Sequence, residues 1–414
     1  MKSHLPYKIL KISLKNLAQL TLKKYQPEII GVTGSVGKTS TKEAIYLVLK
    51  NEKRVRRTQG NFNNELGVPL TILGDYEKIT GFSFWFKVIF QSIGQLIIKN
   101  KKYPEVLILE MAADKPGDIG YLTRLAKPKI GVITAIGKIP VHVQHYSTPS
   151  AVAREKGKLI EVLPTSGYAV LNCDDELVWE LKSKTRAQII GYGFDDEADI
   201  QIINLEYKFD EKEIPQGVAF KIQYGNTIVP FRLKNILGKP QVYSAAAAIA
   251  VGIIYGINLV KISEFLNDYQ PFEHRMKILK GIKNAVILDD CYNASPVSVQ
   301  AGLETLNYFS KRRKVAILGD MLELGKYSDE AHQEIGKEVA KKVDFLICVG
   351  EKAKLIAESA IKHNFDKNKV LIFNNSESAK KMIKKEIGNF DVVLVKGSRA
   401  MQLDKIVEEL VMVA

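Results

Sequence analysis

The chain has 414 residues, of which 46% are apolar and 26% are charged. This composition is typical of a soluble globular protein, and the length predicts two or three domains that each bury a core. The three cysteines form no C-x-x-C pair, which favours a reducing cytoplasm and argues against a disulfide framework or a zinc site. The net charge of +14 suits anionic partners such as nucleotides, nucleic acid or an acidic membrane surface. Because the sequence lacks zinc-finger spacing and aromatic ribonucleoprotein motifs, nucleic acid is not predicted as a partner.

The first 26 residues are rich in lysine and predict one or two basic amphipathic helices. Apolar residues recur near helical spacing at Leu5, Ile9, Ile12, Leu17 and Leu20. Lysines interrupt this segment at roughly every fourth position, so it does not have the apolar centre of a secretory signal peptide.

A glycine-rich turn, GVTGSVGKTS at residues 31–40, lies between an apolar run (27–32) and a helix-like segment (39–50). In such a unit, backbone N–H groups and the positive end of the helix face an anion. Lys38 would reach the terminal phosphates of a nucleoside triphosphate, and Thr39 would offer its hydroxyl to Mg²⁺. Val32 stands where the strict pattern has its first glycine. The predicted nucleotide contacts are Gly34, Ser35, Gly37, Lys38, Thr39 and Ser40.

Residues 81–98 (GFSFWFKVIFQSIGQLII) carry five aromatic residues and a single charge, Lys87. The segment is slightly short for a membrane span and contains two glutamines and a serine. It predicts either a helix that is buried or faces a protein partner, or an interfacial helix that touches a bilayer. The lysines at 99, 101 and 102 would support the second interpretation.

The rest of the chain alternates predicted strands and helices, which indicates an α/β protein with mainly parallel sheets. Short alternating runs between Ile189 and Leu233 predict an antiparallel patch, and the alanine-rich run 244–251 predicts a helix. A second α/β unit, of a doubly wound type, begins near Pro271. The predicted strands are 106–109, 130–135, 169–171, 285–288, 315–318, 345–349, 370–373 and 392–395. The predicted divisions are a basic helical segment (1–26), a central ATP-binding domain (27–270) and a C-terminal domain (271–414).

Several further motifs follow the phosphate loop in a fixed order. They are GNFNNELGVPL (60–70), LEMAADKPGD (109–118), AREKGK (153–158), HRM (274–276), DDCYNASP (289–296), LGDMLELG (318–325) and KGSR (396–399). Together they resemble the Mur ligases, from about residue 28 to the C-terminus, and most closely the branch that adds D-alanyl-D-alanine to a muramoyl tripeptide. The resemblance implies a P-loop NTPase-like central domain followed by a Rossmann-like domain.

The resemblance also implies an activity, ATP-dependent joining of a carboxylate to an amine through an acyl phosphate, with release of ADP. The substrates would be UDP-muramoyl tripeptide and D-Ala-D-Ala, in peptidoglycan precursor synthesis. Mg²⁺, with two ions expected, would accompany ATP. A cytoplasmic monomer is expected, with possible peripheral contact to the inner membrane face or a partner protein through residues 81–98.

Residue roles are implied by the same resemblance. Glu110 would bind Mg²⁺, His142 would assist a second metal ion, and Lys156 would become a carbamate that serves as an oxygen ligand. The matched catalytic residues are Lys38, Glu110, His142 and Lys156, and the matched metal ligands are Thr39, Glu110, His142 and Lys156. The further ATP contacts are Gln241, Arg275, Asp290 and Asn293. The matched substrate residues are Asn61, Asn63, Asn64, Asp320, Glu323, Lys396, Ser398 and Arg399. A hinge near Pro271 would close the two domains on ATP. Without the family pattern, the sequence would predict that Lys156 lies on the solvent-exposed face of its helix.

Three departures from the family pattern bear on substrate choice. Only about 26 residues precede the central domain, where the family carries a domain that grips uridine diphosphate. Ala135 replaces an asparagine, and Pro240 and Gln241 replace a histidine and an asparagine near the nucleotide. Two other functions therefore remain open: a Mur-type ligase for another carboxylate and amine, as in folate polyglutamylation or polyamino-acid synthesis, and a non-catalytic nucleotide-binding adaptor at the membrane face.

Overall fold

The computed structural model describes residues 4–412. Residues 1–3 of the predicted basic segment and 413–414 of the predicted C-terminal domain lie outside the described residues, as does the side chain of Leu5. The described chain contains two sheets, one of nine strands and one of six.

The nine-stranded sheet has the order β2-β3-β1-β4-β5-β6-β7-β8-β9. Its strands are β1 (Glu28–Thr33), β2 (Val55–Arg57), β3 (Val106–Glu110), β4 (Ile130–Ile133), β5 (Tyr168–Asn172), β6 (Gln188–Gly193), β7 (Ile200–Phe209), β8 (Pro215–Tyr224) and β9 (Thr227–Lys234). All pairs as far as β7 are parallel, and β7, β8 and β9 pair antiparallel. The predicted antiparallel patch on a parallel sheet is therefore confirmed.

Helices cover both faces of this sheet because its central strands are apolar on both sides. The helices are α1 (His4–Tyr25), α2 (Lys38–Leu49), α3 (Gly67–Leu73), α4 (Phe82–Ile97), α5 (Asp118–Leu125), α6 (Pro149–Glu161), α7 (Glu176–Trp179), α8 (Lys239–Ile254) and α9 (Leu259–Leu266). Helices α2, α8 and α9 share one hydrophobic core with the sheet, and α1, α3, α4, α5 and α6 share the other. The alanine-rich helix predicted at 244–251 is the centre of α8.

The six-stranded sheet has the order β10-β11-β15-β12-β13-β14. Its strands are β10 (Lys277–Lys280), β11 (Val286–Asp289), β12 (Lys314–Gly319), β13 (Phe345–Val349), β14 (Val370–Phe373) and β15 (Val392–Lys396), and its helices are α10 (Pro296–Leu306), α11 (Ser328–Lys342), α12 (Ala353–Lys362), α13 (Ser376–Glu386) and α14 (Asp404–Leu410). All its pairs are parallel except β10 with β11. The predicted second α/β unit is confirmed, whereas β10 was not predicted. The change of sheet falls between β9 and β10, and the exact boundary at 270/271 stays a prediction.

Helix α1 confirms the predicted basic helix, and Leu17 of the predicted apolar set packs against the core. Ile9, Ile12 and Leu20 are about half exposed, whereas Leu14 and Ala18 are fully buried. The spacing predicted the helix but did not separate the buried residues from the exposed ones, because α1 carries apolar residues on more than one side.

Helix α4 coincides with the aromatic segment and lies half in the protein. Phe84 and Val88 pack into the core, while Phe90 and Ile97 are 69% and 75% exposed. The end of α1 holds the end of α4, since Lys24 Nζ donates to the Leu96 carbonyl at 2.7 Å. Among the described residues, no helix is both long and apolar enough to cross a membrane.

Candidate active site

The phosphate loop connects the end of β1 to the start of α2, as the sequence predicts. Gly37 has a φ of 90°, and Gly34, with a φ of 147°, approaches Thr134 so closely that a Cβ would lie 1.9 Å from its Oγ1. At Gly34 there is no room for a side chain, and at Gly37 the positive φ would strain any other residue. The N–H of Ser35 donates to the carbonyl of Ala135 at 2.7 Å, which fixes the loop to the end of β4. Because this contact uses the backbone of Ala135, the departure from the family's asparagine leaves it intact.

Lys38 is folded back onto its own loop. Its Nζ donates to the Gly34 carbonyl at 2.8 Å, and burial lowers the pKa of Lys38. Next to it, the Thr39 hydroxyl accepts a long bond of 3.4 Å from the Arg275 guanidinium of the second α/β unit. The Nε of Arg275 is buried and has no hydrogen-bond partner among the described residues. Three groups that can donate hydrogen bonds to a phosphate therefore lie close together. They are the backbone N–H groups of the loop, the Lys38 amine and the Arg275 guanidinium.

Glu110 ends β3 beside this loop and is 2% exposed. Its Oε1 accepts a bond of 3.0 Å from Asn63 Nδ2, and its Oε2 lies 3.7 Å from Lys42 Nζ. Burial raises the pKa of Glu110, but the charges of Lys42 and Lys38 outweigh burial, so the pKa of Glu110 is lowered and the group is a carboxylate. Oε2 is buried without a hydrogen-bond partner among the described residues. A buried carboxylate oxygen that accepts no hydrogen bond fits the hard cation predicted here.

Lys156 lies inside the protein, on the side of α6 that faces the phosphate loop. It is 1% exposed, and its Nζ donates to the Gly34 carbonyl at 3.0 Å. The interpretation as a solvated helix residue is therefore wrong, because α6 carries its remaining basic residues on another side. Burial, aided by the charge of Lys38, lowers the pKa of Lys156 to about 7. At neutral pH a large fraction of this amine is uncharged.

His142 bridges the two α/β units. Its Nε2 lies 3.4 Å from Asp114 Oδ1, and its Nδ1 lies 2.9 Å from Glu323 Oε2 in the loop after β12. The hydrogen bond from His142 holds the pKa of Glu323 below its usual range. His142 has a φ of 67°, a left-handed conformation that non-glycine residues adopt rarely, and it turns the ring toward the second unit.

The second unit contributes a cationic and an acidic group to the same cleft. Lys396 Nζ, at the end of β15, contacts Asp290 Oδ2 at 2.6 Å and donates to the Asn293 carbonyl at 3.0 Å. Arg275 stacks on the Tyr292 ring, 4.3 Å from its centroid. The amide of Gln241 donates to the Arg275 carbonyl at 3.1 Å, which ties α8 to this loop.

These contacts enclose one cleft between the carboxyl ends of β1 and β3 on one side and of β11 and β15 on the other. The predicted residues that line it are Ser35, Gly37, Lys38, Thr39, Ser40, Asn61, Asn63, Glu110, His142, Gln241, Arg275, Asp290, Asn293 and Lys396. Gly34 and Lys156 lie directly behind the loop. A site at the strand ends of two sheets is the position in which open α/β folds bind ligands.

Five predicted substrate residues lie outside this lining. Asn64 Oδ1 accepts the N–H groups that begin α3, Asp320 Oδ1 accepts the N–H of Ala353, and Ser398 Oγ accepts the N–H of Leu322. Arg399 is exposed and pairs with Asp404 at 3.2 Å. Glu323 contacts the cleft residue His142. Their role toward the substrate stays a prediction.

The comparison with known proteins decides the family. The profile of the Mur ligase middle domain matches residues 32–83 and 92–252, and that of the Mur ligase glutamate ligase domain matches residues 274–399. The chain belongs to the Mur ligase family. The prediction from the motifs is confirmed.

Relatives of this Mur ligase match it over most of its length. UDP-N-acetylmuramoyl-tripeptide–D-alanyl-D-alanine ligase of Bacillus subtilis is 33% identical over 96% of this chain and 79% of its own. MurF ligase of Thermotoga maritima, solved in complex with ADP, is 26% identical over 96% of this chain and 83% of its own, with a TM-score of 0.78. Folylpolyglutamate synthase of Mycobacterium tuberculosis is 13% identical over 94% of this chain and 93% of its own, with a TM-score of 0.65, and shares the fold alone.

Sequence reasoning missed three residues of the Mur ligase cleft. Lys42 is fully buried beside Glu110, Asp114 contacts His142, and Tyr292 stacks on Arg275. A signal existed for Lys42, because it shares a helical stripe with the buried Ile45 and Leu49, where a lysine needs a buried anion. Asp114 and Tyr292 stand in the quoted motifs, but no spacing marks them as contacts.

Proposed function

We propose that this protein is the ATP-dependent ligase that joins D-alanyl-D-alanine to a UDP-muramoyl tripeptide in peptidoglycan precursor synthesis. The observation that carries the proposal is the meeting of Lys38, Glu110 and Lys156 at a phosphate loop that faces Arg275 of the second unit. The name of the Bacillus relative gives the substrate pair.

The chain's own residues explain how a carboxylate could be activated here. The substrate carboxylate attacks the γ-phosphorus of ATP, ADP leaves, and an acyl phosphate remains. This step needs cations and N–H donors around a crowded set of negative charges. Lys38 leaves its carbonyl contacts to meet the phosphates, and Arg275 offers a planar fork from the opposite side. The amine of D-Ala-D-Ala then attacks the acyl carbonyl and releases phosphate.

Two Mg²⁺ ions are part of the proposal. Thr39 and Glu110 would hold one ion, and His142 and a modified Lys156 would hold the second. These residues surround the phosphate loop with oxygen and imidazole donors. Bound Mg²⁺ would supply charge neutralisation for phosphoryl transfer. The unpartnered Oε2 of Glu110 favours this fit.

Carbamylation of Lys156 is the finer part of the cofactor proposal. Carbamate formation requires the neutral amine as nucleophile, and a pKa of about 7 supplies it at neutral pH. Nζ forms a C–N bond to CO₂, one proton leaves to solvent, and the product is an anionic oxygen ligand. Protein incubated with ¹³C-bicarbonate should give a carbamate ¹³C signal. Lys156→Met should lack this signal, whereas Lys158→Met, which removes a partly exposed amine paired with Glu155, should keep it.

The function is tested by ADP release and mass spectrometry of the product. With UDP-muramoyl tripeptide we expect ADP release that depends on D-Ala-D-Ala and a product enlarged by the dipeptide. Glu110→Gln should lose this turnover, and Glu211→Gln, an exposed control, should keep it. Turnover with glutamate or another amine, and none with the dipeptide, would indicate a different acceptor. ATP binding without any turnover would favour the adaptor alternative.

We further propose a cytoplasmic monomer that contacts an anionic bilayer through α4. Phe90, Ile93 and Ile97 recur along the exposed side of this helix, and α1 and residues 82–102 carry lysines but no acidic residue. Apolar side chains beside positive charge suit a surface of anionic lipid. Co-sedimentation with phosphatidylglycerol vesicles should weaken in Phe90→Ser but not in Ile228→Ser, an exposed residue of β9. Equal sedimentation of both variants would refute the contact.

A further inference from the structure

Three potential metal ligands converge behind the nucleotide cleft, at residues that the proposed ligase reaction does not use. His274 Nδ1 lies 2.8 Å from Asp289 Oδ2, and Cys291 Sγ lies 3.1 Å from Asp289 Oδ1. Cys291 Sγ and His274 Nδ1 lie 3.6 Å apart, and Asp289 contacts each of them through a different carboxylate oxygen. Asp289 and Cys291 are 2% and 1% exposed, and the His274 ring borders a cavity.

The separations match a tetrahedral ion of the size of Zn²⁺. Bonds of about 2.0–2.3 Å at tetrahedral angles place neighbouring donor atoms about 3.3–3.6 Å apart. The sulfur–nitrogen distance already has this value. The contacts of the two Asp289 oxygens, 2.8 Å to nitrogen and 3.1 Å to sulfur, are shorter and must open by about 0.2–0.5 Å to admit the ion. The His274 side chain is 30% exposed and so has room to make this adjustment. The donor set is nitrogen, sulfur and oxygen, which selects Zn²⁺ over Mg²⁺.

The surroundings also favour a cation. Asp404 lines the same cavity, and its Oδ1 is buried without a hydrogen-bond partner among the described residues, while its Oδ2 pairs with Arg399. Such an oxygen suits the proton of a water bound to a metal ion. The other charged groups that line the cavity are Glu273, Lys277 and Glu408.

The backbone of His274 is held in an uncommon conformation that serves the cluster. Its φ is 59°, in the left-handed region, and its carbonyl accepts the N–H of Tyr292 at 3.1 Å. Strained positions of this kind persist where the surroundings fix a functional geometry. Here the strain turns the imidazole toward Asp289.

We propose that His274, Asp289 and Cys291 bind one Zn²⁺ ion, with a water molecule in the fourth position. Binding replaces the thiol proton of Cys291, which leaves to solvent, by a sulfur–zinc bond. The sequence argument against a zinc site relied on the lack of paired cysteines, whereas the fold brings together ligands from the segment before β10 and the end of β11. Since Arg275 and Asp290 adjoin these ligands, the ion would fix both nucleotide contacts. The site does not depend on the proposed substrates.

The test is metal content and spectroscopy on the full chain, purified without chelators. We expect about one zinc per chain by elemental analysis, as for a site with three protein ligands. Titration of the metal-free protein with Co²⁺ should give a thiolate-to-cobalt band in the near ultraviolet. Cys291→Ser should lose that band. It should also bind zinc at least about 10-fold more weakly, because loss of a residue that merely supports a metal ligand already weakens binding by about that factor. Cys173→Ser, also a buried free cysteine, should match the parent protein.

The following results would refute the proposed zinc site. Substoichiometric zinc in the parent protein, with no cobalt band, would show that hydrogen bonds alone hold these three side chains together. A parental cobalt band in Cys291→Ser would place the metal elsewhere. If Cys291→Ser fails to fold by circular dichroism, zinc affinity is measured in His274→Gln, which changes a ligand whose side chain is 30% exposed. Unchanged zinc affinity in that variant would refute the proposal whether or not the ligase activity is found.

Discussion

At the scale of single residues, Lys156 shows how burial changes the chemistry of a side chain. An exposed lysine is a permanent cation at neutral pH, but this one has lost its hydration. Among the described residues, its hydrogen-bond acceptor is the Gly34 carbonyl. Burial, with the charge of Lys38, lowers the pKa of Lys156 to about 7. The unfolded chain keeps the ordinary value near 10.5. The protonated amine is therefore penalised in the folded state alone.

This difference predicts how stability depends on pH when CO₂ is excluded. Between pH 7 and 10.5 the unfolded state binds one more proton than the folded state, so stability rises with pH, by at most about 1.4 kcal/mol per pH unit. Lys156→Met removes this contribution. Urea unfolding of both proteins between pH 7 and 9.5 should show the parent gaining stability relative to the variant. Parallel pH profiles would contradict the lowered pKa.

The same residues mark the limit of sequence reasoning about the site. Lys38 and Thr39 follow from a local motif, because the strand, turn and helix that position them are consecutive in the chain. The buried state of Lys156 does not follow, since α6 carries other basic residues and the sequence does not reveal which side packs on the loop. The bridge from His142 to Glu323 joins residues about 180 positions apart, and only the packing of the two units brings them together.

At the scale of elements, the turn between β7 and β8 fastens the second unit. Glu213 is 7% exposed, and its carboxylate accepts bonds from the N–H and hydroxyl of Ser310 and from the N–H of Lys311. Burial raises the pKa of Glu213, but these donors outweigh burial, and the pKa is lowered. The alternating pattern predicted these antiparallel strands correctly. It gave no sign that their turn contacts the other sheet.

Removal of this carboxylate should loosen that fastening. Glu213→Ala leaves the N–H groups of residues 310 and 311 without their acceptor, and we expect a loss of about 2–3 kcal/mol in the free energy of unfolding. Glu211→Ala, two positions earlier and exposed, should change stability by less than about 0.5 kcal/mol. Urea denaturation of the two variants measures the difference. Equal stability would show that solvent replaces the contacts of Glu213.

At the scale of the whole molecule, the protein is two α/β units that meet around the nucleotide cleft. The predicted strands recur in the structure because each is a short apolar run, and short apolar runs in alternation with helices define a parallel sheet. The order of the strands and the fit of one unit against the other are not local properties. They depend on contacts between distant residues, such as Tyr207 stacked on Tyr308 with ring centroids 3.8 Å apart.

One of these long-range contacts requires a residue without a side chain, Gly137. Gly137, after β4, packs so closely on Val297 at the start of α10 that a Cβ would lie 2.1 Å from Val297 Cγ2. Gly137 also has a φ of 76°, and its N–H donates to Asp175 at 2.8 Å. Gly117 has a similar φ of 98°, but an added Cβ there would meet nothing within 4 Å. Substitution of Gly117 would therefore introduce backbone strain alone, whereas substitution of Gly137 would add a clash between the two units.

Gly137→Ala should push the two units apart, whereas Gly117→Ala should not. Both variants bear a backbone cost of about 1–2 kcal/mol for alanine at positive φ. Only Gly137→Ala should also show a larger radius of gyration by small-angle scattering and a KM for ATP raised roughly tenfold, the equivalent of about 1.4 kcal/mol. Val297→Ala added to Gly137→Ala removes the clashing methyl groups and should restore both values. If Gly137→Ala behaves like Gly117→Ala, the approach of the two units at Val297 does not control how the cleft closes on ATP.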